Sequence, residues 1–86
     1  MSVLRCFVYK CARKRDAYVY LPVEGAFDAL SVELRDALGR LEFVMAIDLW
    51  PERKLARAEA SQVIDALRTR GFYLQMPPPP GLTGDA

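Results

Sequence analysis

The sequence predicts a small α/β domain, a four-stranded sheet with two main helices packed on it in the order β-β-α-β-α-β. Three observations predict it. Two short N-terminal runs are rich in Val, Tyr and Phe and alternate with period two. Two later segments carry aliphatic residues at helical spacing and end at glycine. The length of 86 residues and the 52% hydrophobic content leave room for one core and no second domain.

Residues 3–10 (VLRCFVYK) and 17–21 (AYVYL) read as a β-hairpin, with the basic stretch Ala12 to Asp16 as its loop. Leu4, Cys6 and Val8 share one face of the first strand, and Val3, Phe7 and Tyr9 share the other. In the second strand Tyr18 and Tyr20 lie opposite to Ala17, Val19 and Leu21. Both faces are apolar, which predicts a sheet covered on both sides.

Asp28 is the expected cap of a helix over about 29–38. Leu30, Leu34 and Leu38 form its stripe, and Gly39 is its left-handed stop. Residues 41–49 (LEFVMAIDL) alternate with Leu41, Phe43, Met45, Ile47 and Leu49 on one face until Trp50-Pro51 breaks the run, and they read as the central strand. After the charged turn Glu52-Arg53-Lys54, Ala60, Val63, Ile64 and Leu67 mark a helix within Ala58 to Arg70, closed by Gly71. Phe72 to Met76 reads as the last strand. Pro77 to Pro80 must leave the sheet, because proline donates no ladder hydrogen bond.

The net charge is only +1, but Arg5, Lys10, Arg13, Lys14 and Arg15 all precede the first acid, Asp16. Local charge, rather than the total, is what could draw an anionic partner. No stretch approaches the roughly 20 apolar residues that span a bilayer, and the N-terminus lacks the pattern of a signal peptide, so no membrane association and a cytoplasmic location are expected. Cys6 and Cys11 fall on opposite faces of one strand and are expected to be reduced.

Cys6-Phe7-Val8-Tyr9-Lys10, then Lys14-Arg15-Asp16 and Tyr18-Val19-Tyr20, and finally Gly71-Phe72-Tyr73-Leu74-Gln75-Met76-Pro77-Pro78-Pro79 are the blocks that carry a family resemblance. Over about residues 5–80 the chain resembles the YcgL family of small bacterial proteins. The resemblance implies an α/β/α-type sandwich and a domain over 1–80; the residues beyond it, 81–86, read as a flexible tail. It implies no established enzyme activity and no cofactor. Similar proteins are in some cases encoded near ribonuclease D, which makes RNA metabolism a lead. Where some relatives have an Asn able to cap the second helix, this chain has Arg57.

Two surfaces are candidate sites. Lys10, Arg13, Lys14 and Arg15 set phosphate-seeking charge beside the rings of Tyr9, Tyr18 and Tyr20, a combination suited to RNA or single-stranded nucleic acid. Tyr73, Gln75, Pro77, Pro78 and Pro79 form a stiff segment able to dock on a protein at low entropic cost, with Trp50 as a packing partner. Catalysis finds less support. Asp48 with Glu52, Arg53 and Lys54 echoes a metal-dependent nuclease, but Pro51 separates the two carboxylates. The chain has no His to activate Cys6, Cys11, Ser31 or Ser61, and its five glycines are scattered, so it has no phosphate-binding loop. The expected function is therefore a non-enzymatic accessory or protein-interaction domain without metal or cofactor, acting through an unknown protein partner. The alternative is RNA binding by the basic aromatic hairpin.

Overall fold

A computed structural model describes residues 3–55 and 59–76. Its elements are β1 (Leu4–Cys11), β2 (Lys14–Leu21), a 3-10 turn (Phe27–Ala29), α1 (Val32–Leu38), β3 (Leu41–Leu49), α2 (Ala60–Thr69) and β4 (Tyr73–Gln75). The strands form one antiparallel sheet in the order β3-β1-β2-β4.

Alternation along β1 and β2 builds two cores, one on each side of the sheet. On one side Cys6, Val8, Tyr20 and Leu49 meet Ala60, Val63, Ile64 and Leu67 of α2. On the other, Tyr9, Cys11, Ala17, Val19 and Leu21 meet Leu30 and Leu38. The result is a helix, sheet, helix sandwich, with the two cysteines buried on opposite faces and unbonded.

The strand read as central is an edge. β3 pairs only with β1 among the described strands, and it does not keep its five alternating residues on one face. Val8 pairs with Met45 and Tyr9 with Phe43, so Val44 is an extra residue in β3. Such a bulge reverses which side the following residues face. Leu41 packs against the α1-side core and Ile47 against the α2-side core, with Leu49 buried in the latter.

The first helix starts later than expected. Asp28 lies in the 3-10 turn, and the cap is Ser31, whose hydroxyl accepts from the Leu34 N–H at 3.1 Å. Asp28 and Ser31 are both good capping residues, and the extended backbone of Leu30 interrupts the helix between them. Gly39 ends α1 at φ 77°. α2 spans Ala60–Thr69 with Gly71 just beyond it, and Glu59 at its N-cap makes no side-chain bond, so packing rather than capping sets its start. Ala58, Arg57 and the prolines Pro77 to Pro80 lie outside the described residues, as does the tail over 81–86.

Candidate functional site

The basic loop of the hairpin is part of β2 rather than a free turn. Only Ala12 and Arg13 connect the strands, and Cys11 pairs with Lys14. Because Lys10 already pairs with Tyr18, the residues Arg15, Asp16 and Ala17 have no opposite number on β1; Arg15 and Asp16 are exposed there, while Ala17 turns into the core. Asp16 reaches φ 65°, a conformation that Asp tolerates better than most residues. The bulge opens a concavity of about 530 Å³ lined by Lys10, Arg13, Lys14, Arg15, Tyr18 and Glu42, among others.

The hairpin tip is held from behind. The Ala12 N–H donates to the Arg40 carbonyl and the Arg13 N–H to the Leu38 carbonyl, both at 2.9 Å. The Arg13 guanidinium donates to the Asp36 carbonyl at 3.1 Å. These bonds tie the tip to the last turn of α1 and to the connection that follows it.

The cations divide into engaged and available ones. Arg5 pairs with Asp48 at 3.0 Å; Lys10 and Arg40 both pair with Glu42, at 3.4 and 3.2 Å. Lys14 and Arg15 are exposed and make no ion pair among the described residues. Exposed pairs of this kind add little to stability, so what they decide is where charge remains uncompensated.

The tyrosines divide as well. Tyr9 is 4% exposed, its hydroxyl accepts from the Gly25 N–H at 2.8 Å, and its ring meets Phe27 and Phe43 edge to face. Tyr20 is 7% exposed and donates to the Gln75 Oε1 at 3.0 Å, with Tyr73 packed edge to face at 5.7 Å. Neither offers a ring face to a base. Tyr18 alone of the three lines the concavity. The antiparallel register, Tyr18 with Gln75 and Tyr20 with Tyr73, points the end of β4 toward the hairpin tip. Both sequence-predicted surfaces thus begin at one end of the sheet, although Pro77, Pro78 and Pro79 themselves lie outside the described residues.

The Asp48 cluster does not gather as a metal site. Asp48 is paired with Arg5, its carbonyl accepts from Arg53 at 2.5 Å, and the Arg53 guanidinium sits 5.2 Å from the Trp50 ring centre. Among the described residues no three potential ligands converge. Burial pushes the Cys6 thiol up to about 11, against a smaller lowering by Arg53, and burial also raises Cys11. Both are neutral thiols at physiological pH, without the thiolate character of a nucleophile.

One surface escaped the sequence reading. Phe43, Val44 and Met45 of the edge strand β3, whose outer side pairs with no described strand, are 51%, 40% and 49% exposed. Five consecutive apolar residues, Phe43 to Ile47, carry the signature of a strand buried on both faces, which is why the edge was invisible.

The YcgL domain model matches residues 6–78, most of the chain and nearly all of the described sheet. The chain belongs to the YcgL domain family. A YcgL domain-containing protein of Saccharophagus degradans is 45% identical over 73 residues, covering 85% of this chain and 80% of the relative. One from Thioalkalivibrio sulfidiphilus is 41% identical over 75 residues, covering 87% and 93%. One from Xanthomonas euvesicatoria is 42% identical over 82 residues, covering 95% of each. The YcgL match spans both the hairpin and the last strand, so the concavity and the β3 edge are built on family scaffold. Among the described residues no helix is long and apolar enough to cross a membrane.

Proposed function

We propose that this YcgL domain is a non-enzymatic accessory domain of the cytoplasm that docks a protein partner along β3. The observation that carries this reading is the apolar strip Phe43-Val44-Met45 on a strand edge that no described strand pairs. Exposed edges offer main-chain donors and acceptors to an added strand, and apolar side chains beside them supply the energy. Among the described residues, Arg5 and Asp48 balance each other at one end of β3, while at the other Lys10 and Arg40 share the single carboxylate of Glu42. The partner chemistry that fits is an extended segment with an apolar centre and one acidic flank, at the Glu42 end. Neutral, buried thiols and the lack of His support the non-enzymatic part of the reading.

A photo-crosslinking residue at Met45, in the full chain expressed in its host cells, tests this. The expected result is one discrete protein adduct, lost on Val44→Asp and absent when the crosslinker is moved to Glu33. Adducts independent of position refute the reading. An adduct to a second copy of the chain, with a dimer seen by sedimentation, also overturns it.

A second reading, nucleic-acid contact through the hairpin, is favoured by one observation: Lys14 and Arg15 stand beside an open concavity without ion-pair partners among the described residues.

A further inference from the structure

The β2 bulge interrupts the ladder over Arg15, Asp16 and Ala17 and turns Asp16 into the left-handed region, where backbone strain is carried. A plain hairpin would join the same strands without it. What the bulge adds is the concavity, with Lys14 and Arg15 on its wall and Tyr18 among the residues that line it. Its volume of about 530 Å³ is within the range of sites that hold a small ligand or one unit of a polymer.

We propose that this concavity seats the backbone of a single-stranded nucleic acid, with Arg13, Lys14 and Arg15 on phosphate and Tyr18 as the one ring against which a base rests. This rests on the second reading above and adds which groups act, how many, and on what form of the ligand. Arg13 belongs to the set because its one side-chain partner among the described residues is a neutral carbonyl, which provides no opposite charge. Lys10 is outside it, its charge being shared with Glu42 and Arg40. Tyr9 and Tyr20 are structural, each sealed in a core with its hydroxyl satisfied.

Tyr18, rather than the cations, selects the ligand. The three cations beside the acid rim of Asp16 and Glu42 would be drawn to a duplex as readily as to a single strand, but a duplex keeps its base faces stacked. A single strand presents separated phosphates and an unstacked base, and every base has a face for Tyr18, so the contact tolerates any sequence. An acidic peptide would use the cations and leave Tyr18 idle. The hairpin tip needs no ordering on binding, since two main-chain bonds already fix it to the turn after α1.

With about three phosphates neutralised, the logarithm of affinity falls with the logarithm of salt at a slope of about −2. Fluorescence anisotropy of the full chain with labelled single strands of about eight nucleotides, as RNA and as DNA, tests this alongside a duplex and a poly-glutamate peptide. The expected results are saturable single-strand binding with that slope, weaker duplex binding, and at least tenfold loss in Lys14→Glu/Arg15→Glu. Tyr18→Leu weakens binding severalfold at an unchanged slope, and Arg68→Glu/Arg70→Glu at the C-terminal end of α2 leaves it intact. Circular dichroism checks that each variant is folded. No binding of any nucleic acid at low salt overturns both the inference and the reading beneath it. Binding that prefers duplex, survives Lys14→Glu/Arg15→Glu, or falls equally in the α2 variant overturns the inference alone. Poly-glutamate binding as tight as the single strands assigns the concavity to an acidic protein and overturns it as well.

Discussion

Replacing Gly39 by Ala should unlock the hairpin tip. Gly39 sits at φ 77° and ψ −160°, a region that only glycine occupies readily, at a cost for other residues of about 1–3 kcal/mol. A Cβ there would lie 2.5 Å from the Arg13 Cγ and 3.1 Å from the Arg13 backbone nitrogen, so the Arg13 side chain must swing away and surrender its bond to the Asp36 carbonyl. That exposed bond adds about 0.5–1.5 kcal/mol. Together the loss is about 3 kcal/mol, which lowers Tm by roughly 12–24 °C in a domain of this size. Urea melts followed by circular dichroism measure the loss, and hydrogen exchange at the Ala12 and Arg13 amides locates it. Gly25→Ala is the internal comparison, since Gly25 has the same φ of 77° but nothing within 4 Å of its Cβ position. Its cost is the conformational one alone, about 1–2 kcal/mol. If the two variants lose equal stability, or if Gly39→Ala stays within about 0.5 kcal/mol of the parent, the tip is not held by the turn after α1 and the reasoning fails.

Alkaline pH should weaken the fold through Cys6. Above the ordinary thiol value of 9.0 the unfolded chain sheds this proton, while the native chain holds it to about 11. The unfolded state then binds fewer protons, so stability is full below pH 9 and falls as pH rises toward 11, by about 3 kcal/mol for the two-unit window. Cys11 and Tyr20, both raised by burial, act in the same direction. Chemical denaturation between pH 8 and about 10.5 reads this decline, and Cys6→Ala should show a shallower one. In Tyr9→Phe the Gly25 N–H loses its acceptor while the ring contacts remain, a loss of about 0.5–1.5 kcal/mol measurable by urea denaturation. A neutral result there would mean that water replaces the hydroxyl.

Much of the fold was legible because its signals are local. The alternation in residues 3–10 and 17–21 placed Cys6 and Val8 on one face and Phe7 and Tyr9 on the other, as found. The second helix was readable from Ala60, Val63, Ile64 and Leu67, since each points into one core. What failed depended on partners distant in sequence. Asp28 and Ser31 are equivalent as caps until the extended backbone of Leu30 separates them. The Val44 bulge leaves the alternation of 41–49 undisturbed on paper, because it is defined only against Val8 and Tyr9 of another strand. Tyr9, Tyr18 and Tyr20 alternate identically, yet Gly25 and Gln75 satisfy the hydroxyls of Tyr9 and Tyr20. Of the candidate site, the cations were visible in the sequence, whereas the concavity came from a register shift that no spacing encodes.

The inner pair of strands is also the pair made first. β1 and β2 are joined by two residues and occupy the middle of the sheet, so β3 and β4 are added on either side of an existing hairpin. On the ribosome, β1 through β3 emerge before α2, and the side bearing Cys6, Val8, Tyr20 and Leu49 stays uncovered until that helix arrives. A chain stopped before Ala60 would therefore display half a core to its surroundings, and a growing one passes through that state each time it is translated.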